Sequence, residues 1–456
     1  MIKNYTALKN NLFIYVITFL LLGSGCKKEY TPVSMDKIRL SWNYNPATTI
    51  TIGWDQIGGE NPKVYYGTKD KGKDWKKYKY SQKPTREVNE LNMKTRFCEL
   101  NDLLPNTAYY FVIKDSEWIT DRYWFKTAPD KPEPFTCIVG GDTKSVEPSL
   151  SAGRYSNQMV SKLRPLFVLF CGDFTSYDAT DPDHWALWLS DWFELTKTED
   201  GRLFPIIPVM GNHERKYDGI LNVVFNTPYQ HDDPNNSYYS LSFGGNFVHI
   251  TALNSELWPI DQQTDWLERD LKSAENFTFK FAAYHKPFRP HTIGKRENMA
   301  LYYKWAYLFN EYGLDISIDA DSHMSKITFP VVPDSINGYE AFVRDDLNGT
   351  MYIGEGSWGA GHRDNDDDKP WTLRSGSFNQ FKWLHVFPKS ENEEAHVDIR
   401  TVITSIRDST KTSISHVEGV TPLSEGNVFA IPEGVNLFST EPYGEVITYP
   451  FVDKKK

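Results

Sequence analysis

Five short segments of this chain end in side chains that bind metals or move protons: Gly141-Asp142, Gly172-Asp173, Gly211-Asn212-His213-Glu214, His285 and Asp321-Ser322-His323. Carboxylates, an amide carbonyl and imidazoles together make a ligand set for transition ions such as Zn, Fe or Mn. One such motif alone would say little. Five in one chain, each with the same lead-in, say more.

The lead-in is an apolar run. Residues 134–139, 166–170, 205–209, 279–284 and 314–318 each run directly into one of the polar tips. Short apolar runs read as buried strands, and parallel strands deliver such tips to a cleft at their carboxyl edge. Helix-like segments alternate with them. Residues 184–195 carry Trp185, Trp188, Leu189 and Trp192 at three- and four-residue spacings, and 262–274 carry Trp266, Leu267 and Leu271; both are core-packing faces. Residues 238–243 and 247–253, joined through Gly244-Gly245, read as a hairpin.

Taken in order, these blocks resemble the calcineurin-like metallophosphoesterases, and the layout is similar to their purple acid phosphatase branch. The family pattern runs Asp, Gly-Asp, Gly-Asn-His-Glu/Asp, a lone His, then Gly-His-x-His. The resemblance spans residues 35 to 405. It implies an α/β (α+β) metallophosphoesterase β-sandwich flanked by helices, and two metal ions bridged by one Asp. Carried over residue by residue, Asp173 is the bridging ligand, and Asn212, His285 and His323 complete the second metal site. His213 faces the phosphate with Glu214 orienting it, and His291 is a weaker candidate for contact with substrate. The family also places a domain ahead of the catalytic one. Here residues 38–126 alternate strand-like runs with turns, and 104–109 resemble the tyrosine-corner approach of fibronectin type III modules, so an all-β sandwich is expected over 35–129. The stiff, proline-rich stretch 127–134 separates it from a catalytic domain over 135–405, and 406–456 form a C-terminal extension.

The first metal site departs from the pattern. Asp142 is present, but Lys144 stands where the family has His or Gly. Reading Ser322-His323-Met324-Ser325 against Gly-His-x-His puts Ser325 in place of the second imidazole. The branch's Tyr, three residues after the bridging Asp, is Ser176 here, with Tyr177 one step late. Either oxygen ligands such as Ser325, Tyr177 or Asp321 hold a weak first ion, or the Lys144 ammonium stands in for it. An ammonium ~4 Å from a carboxylate gains about 4 kcal/mol at an effective dielectric near 20, which offsets part of the repulsion between Asp142 and Asp173. The expectation is one or two divalent or trivalent ions. The expected activity is hydrolysis of phosphate esters; the alternative is a degenerate domain that binds a phosphorylated or anionic ligand without turnover.

Composition narrows the partners. A net charge of -10, with no long Lys/Arg stripe, argues against a nucleic-acid scaffold, and 40% hydrophobic with 15% aromatic residues over 456 positions supplies large cores. Lys3 and Lys9, an uncharged run over 12–22 and then Gly23-Ser24-Gly25-Cys26 read as a signal peptide over 1–25. The run is short of the ~20 residues that span a bilayer. Leu22-Gly-Ser-Gly-Cys26 resembles a lipoprotein box with its Leu one position early. Cys26 is then the expected lipid attachment site, followed by a tether over 26–34, and the protein is expected outside the cytoplasm on a bacterial membrane. Cys98, Cys137 and Cys171 lie in apolar runs and read as buried hydrophobes. The acidic stretch 362–369 lacks the sixth-position Gly and closing Glu of a calcium loop and reads as solvated.

Overall fold

The computed structural model describes residues 34–176, 179–336, 339–408, 410, 413–439 and 445–454. The signal peptide, the anchor at Cys26 and Tyr177 lie outside these described residues. Among the described residues no helix is long and apolar enough to cross a membrane.

Two four-stranded antiparallel sheets build the first part. One is ordered Met35–Ser41, Ile50–Gln56, Met93–Leu100, Arg86–Glu90; the other Tyr80–Gln82, Lys63–Gly67, Ala108–Lys114, Tyr123–Lys126. Alternate side chains close the space between them, among them Trp54, Phe111 and Phe125. The Tyr109 hydroxyl accepts a hydrogen bond from Leu104 N at 2.9 Å, as the 104–109 run predicts for a tyrosine corner. Buried Arg39 ties this part to the next by donating to Val224 O at 2.7 Å.

The second part is two mixed seven-stranded sheets with helices on their outer faces. In the first sheet Ile206–Pro208, Phe167–Phe170 and Phe135–Gly140 run parallel, and Asn379–Phe387 and His396–Arg407 continue it antiparallel. In the second, Val248–Ala252, Phe279–Ala283, Ile316–Ile318 and Met351–Gly354 run parallel, with Tyr239–Phe243 hairpinned onto one side. Strand alternation sorts the side chains into layers. Cys137, Val139 and Leu169 pack inward with Ile250, Phe281 and Ile318 of the other sheet. Ile138, Val168 and Phe170 point outward, where Ser149–Leu163 and Pro182–Thr196 bring Val160, Trp185, Trp188 and Trp192 onto them. On the opposite side Ala282 and Tyr284 meet Leu267 and Leu271 of Asp261–Ser273, with Trp305 and Phe309. Asp181 caps its helix by accepting from Asp183 N, with Pro182 opening the first turn.

The expected boundary at 405 does not coincide with an end of structure. The strand His396–Arg407 runs through it, and Val446–Pro450 pairs with the same strand, so the C-terminal segment contributes to the first sheet. Period-2 burial along one strand carries no signal of which distant strand will pair with it, which is why this was illegible beforehand.

Candidate metal centre

All five strands named from the sequence end at the same cleft, because within each sheet the named strands run parallel to one another. Asp142, Asp173 and Asn212 come off the first sheet, and His285, Asp321 and His323 off the second. The backbone at four of these is left-handed: φ is 68° at Asp142, 57° at Asp173, 65° at Asp321 and 57° at His323. Such a conformation costs a non-glycine residue about 1–3 kcal/mol and persists where surrounding contacts enforce it. Here it turns each side chain back over the strand end. Two glycines make room. A Cβ at Gly356, whose φ is 82°, would collide with the Asp142 carboxylate, and one at Gly211 would strike Asp173.

The donor atoms fall into two groups sharing Asp173. In the first, His323 Nε2 stands 3.4 Å from Asp142 Oδ1, and ligand atoms of Asp142, Asp173 and His323 all lie within 4.8 Å of one another. In the second, His285 Nε2 is 3.2 Å from Asp173 Oδ1, 3.2 Å from Asn212 Oδ1 and 3.5 Å from Asp321 Oδ1. The Asn212 Oδ1 position is also 3.0 Å from Asp321 Oδ1. Ligands bound side by side on one ion at ~2.1 Å are separated by about 3.0–3.4 Å, so both groups have the spacing of a coordination shell. The remaining ring nitrogens are committed elsewhere: His285 Nδ1 to Cys171 O at 2.7 Å and His323 Nδ1 to Gly361 O at 3.1 Å. Carbonyl partners hold a proton on Nδ1 and leave Nε2 facing the cleft, where it can take a proton or a metal ion.

These residues fit a metal. Buried Asp142 Oδ1 has no hydrogen-bond partner. With its carbonyl inward, Asn212 joins an imidazole and two carboxylates in aiming lone pairs at one point, an arrangement that a cation satisfies. Turned round, the amide would donate to His285 Nε2 and Asp321. The electrostatics agree. Burial acts against the Asp173 carboxylate, yet His285, Lys144 and His213 outweigh it and hold the group well below its ordinary range. Burial likewise disfavours the His285 imidazolium, but Asp173 and Asp321 outweigh it and hold the ring well above its usual value.

The structure corrects several assignments. His323 sits against Asp142 in the first group, not with Asn212 and His285, and Asp321 takes the place expected of it. The family's Gly-His-x-His therefore maps onto Ala320-Asp321-Ser322-His323, two residues earlier than Ser322 to Ser325. The Ser322 N donates to Ala320 O, and this turn puts Asp321 and His323 toward the cleft while Ser322 is buried. The signal was available: Asp321 and His323 have the His-x-His spacing, hidden by anchoring the comparison on the histidine. Ser325 is no ligand substitute; its hydroxyl accepts from buried Lys382 Nζ at 2.6 Å. Ser176, the residue at the branch's Tyr position, accepts from Ser145 N.

Glu214 does not orient His213. It is buried, with Oε2 accepting from Asp173 N at 2.8 Å and Gly211 N at 3.1 Å, and Oε1 from Phe174 N at 3.0 Å. It thus clamps two ligand-bearing turns together. Burial and the Asp173 charge push its carboxyl up to about 8. His291 is also buried, bonded to Glu355 Oε1 at 3.1 Å and Thr372 Oγ1 at 2.7 Å, so it faces no substrate. Glu355 in turn meets Lys326 Nζ at 2.9 Å, which also reaches Asp319 Oδ2 at 2.7 Å, a buried charge network behind the site that the sequence did not disclose. Lys144 does point into the cleft. Its Nζ lies 3.2 Å from Asp173 Oδ2 and 3.1 Å from His213 Nε2, against the shared ligand rather than between Asp142 and Asp173.

Comparison with known proteins gives the same picture. Residues 35–127 match the model for the purple acid phosphatase N-terminal domain, and residues 151–325 that for the calcineurin-like phosphoesterases. The chain is 28% identical over 274 residues to probable purple acid phosphatase 20 of Arabidopsis thaliana, covering 56% of this chain and 57% of that one, little more than half of the relative's length. Among solved structures it is similar to the purple acid phosphatase PPD1 from seeds of yellow lupin (Lupinus luteus), with a TM-score of 0.62 at 15% identity over 84% of this chain and 73% of that one. It is also similar to PhoD, with a TM-score of 0.58 at 11% identity over 89% and 92% of the respective chains. At such identities the two structures speak for the fold. Two family models in succession support the resemblance of this chain to the calcineurin-like phosphoesterases and to their purple acid phosphatase-like branch.

Proposed function

We propose that the chain is an extracytoplasmic, metal-dependent phosphoric ester hydrolase, held to a bacterial membrane by lipid at Cys26. The convergence of six donor residues at coordination spacing supports this reading most. Asp142, Asp173 and His323 would hold one ion, and Asp173, Asn212, His285 and Asp321 another; ions bound there polarise a phosphoryl oxygen and activate water. The chain's own residues do the rest. Lys144 and His213, with side chains 15% and 23% exposed, stand on the open side of Asp173, so an arriving phosphate meets an ammonium and an imidazole before it meets carboxylates. Lys144 offsets the ester's negative charge, and the Lys144–His213 pair, 3.1 Å apart, supplies the proton to the leaving oxygen as the P–O bond breaks. Because Lys144 also bonds Asp173 Oδ2, it competes for the carboxylate that both groups share. The first group, with only Asp142 and His323 besides, is then the weaker of the two.

The ammonium groups on the ligand carboxylates, Lys144 on Asp173 and Lys295 on Asp321, favour a second reading, a cleft that binds phosphorylated or anionic ligands without turnover. One experiment separates the two. Purified protein is stripped with chelator, reloaded with Zn, Fe or Mn, and assayed on an aryl phosphate monoester beside Asp173→Asn. Hydrolysis restored by metal and lost in the variant supports the enzyme; calorimetric binding of inorganic phosphate without turnover under every metal favours the binder. For the anchor, labelled fatty acid should enter the wild type and not Cys26→Ser.

A further inference from the structure

Lys295 belongs to no motif, yet its ammonium pairs with Asp321 Oδ1, the oxygen that faces His285 Nε2 at 3.5 Å. The pairing is built into the fold from several directions. Lys295 N donates to Thr292 O at 3.2 Å, and Ile293 N donates to Asp366 Oδ1 at 2.9 Å, so the acidic stretch after His362 holds the lysine's loop. Arg363 Nη1 donates to Asp321 O at 3.0 Å, and Arg363 N to His323 O at 3.0 Å, which fixes the ligand turn on the other side. Lys295 keeps 24% of its side-chain surface and Asp321 only 7%.

The second donor group is consequently unusual in charge. Asp173 and Asp321 supply two carboxylate oxygens, Asn212 a carbonyl and His285 the sole nitrogen. Where the family pattern has a neutral imidazole, this chain has a carboxylate with an ammonium on it. Oxygen-rich sets suit harder divalent ions such as Mn2+, and imidazole-rich sets suit Zn2+. An ammonium on a ligand oxygen opposes any second cation drawn to the same oxygen.

We propose that Asp321 and Lys295 form a metal-selecting pair: Asp321 tunes the Asn212–His285 group toward Mn2+ over Zn2+, and Lys295 limits how tightly that ion is held. This rests on the metal-centre reading above. Lys295 is a positioning residue, since it acts through Asp321.

The test measures binding, not activity. Chelator-stripped full-length protein is titrated with Mn2+ and with Zn2+ by calorimetry, and Mn2+ loading is followed by electron paramagnetic resonance. Lys295→Met should bind Mn2+ at least tenfold more tightly than wild type, and Lys295→Arg, which keeps the charge, should match wild type. Asp321→His should move the Mn2+/Zn2+ preference at least tenfold toward Zn2+. A residue that merely tethers its loop would weaken binding when removed, so unchanged or weaker Mn2+ affinity in Lys295→Met overturns the proposal. An unchanged preference in Asp321→His overturns it independently. Absence of any saturable binding of either ion by wild type, with His285→Ala indistinguishable from it, would instead sink the metal-centre reading itself.

Discussion

Replacing Glu214 by Gln exchanges one oxygen for an NH2 group and tests how the cleft is held together. The carboxyl group accepts three backbone N–H groups: Asp173 and Gly211 on Oε2, and Phe174 on Oε1. A Gln amide has one acceptor oxygen. Its better orientation keeps that oxygen toward Asp173 N and Gly211 N and sets its NH2 against Phe174 N, two donors facing each other. With its carboxyl pushed up to about 8, Glu214 is largely neutral at pH 7, so the expected loss is that of one buried N–H left unpaired, about 1–3 kcal/mol of unfolding free energy. It should be visible in urea unfolding, together with weaker divalent-ion binding, because Asp173 and the turn at Gly211 to Asn212 lose their common anchor. A Gln variant within ~1 kcal/mol of wild type that binds ions equally well would refute the clamp, since so small a change lies below even one unpaired donor.

The register of the last motif makes a paired prediction: His323→Ala removes a ligand and should lower bound metal by at least one ion per chain, while Ser325→Ala should leave metal content unchanged and cost ~1–3 kcal/mol of stability by stranding Lys382. Elemental analysis of the two purified variants decides it. His385, packed between Trp383 and Phe429 with neither ring nitrogen hydrogen-bonded, is held down to about 3 by burial and by Arg400. Its folded pKa lies below the unfolded value near 6.5, so its contribution is fully present above that pH and is lost as pH falls toward 3, at up to ~1.4 kcal/mol per pH unit. Urea unfolding at pH 7 and pH 5 should show a smaller difference in His385→Phe than in wild type. Lys326→Met leaves Asp319 and Glu355 as buried charges without their shared partner and should destabilise by about 3–5 kcal/mol, measured the same way.

Much of the fold was legible because its signals are local. Apolar runs of five or six residues ending in Gly-Asp or Gly-Asn mark strands that stop at a cleft, and tryptophans at helical spacing mark 184–195 as an amphipathic cover, which the structure extends to Pro182–Thr196. The Tyr109 corner and the Gly244-Gly245 hairpin turn were equally readable, since each is decided within a few residues. What depends on distant partners was not. Glu214 carries an apt motif position for orienting its neighbour, but the three N–H donors that capture it belong to turns of two different strands. His291 lies in a loop by sequence, yet Glu355 and Thr372 bury it.

From the sequence alone came the kinds of donor and the strands that carry them, because ligand chemistry is a property of side-chain type and strand periodicity is local. Which donors share an ion was decided by the folded chain. Asp321 and His323 are two residues apart, and a left-handed turn sends one to His285 and the other to Asp142. Lys295 meets Asp321 from a loop that Asp366 holds through Ile293 N. Distances of a few ångströms between residues far apart in the chain are set by packing of whole sheets, and no short stretch of sequence encodes them.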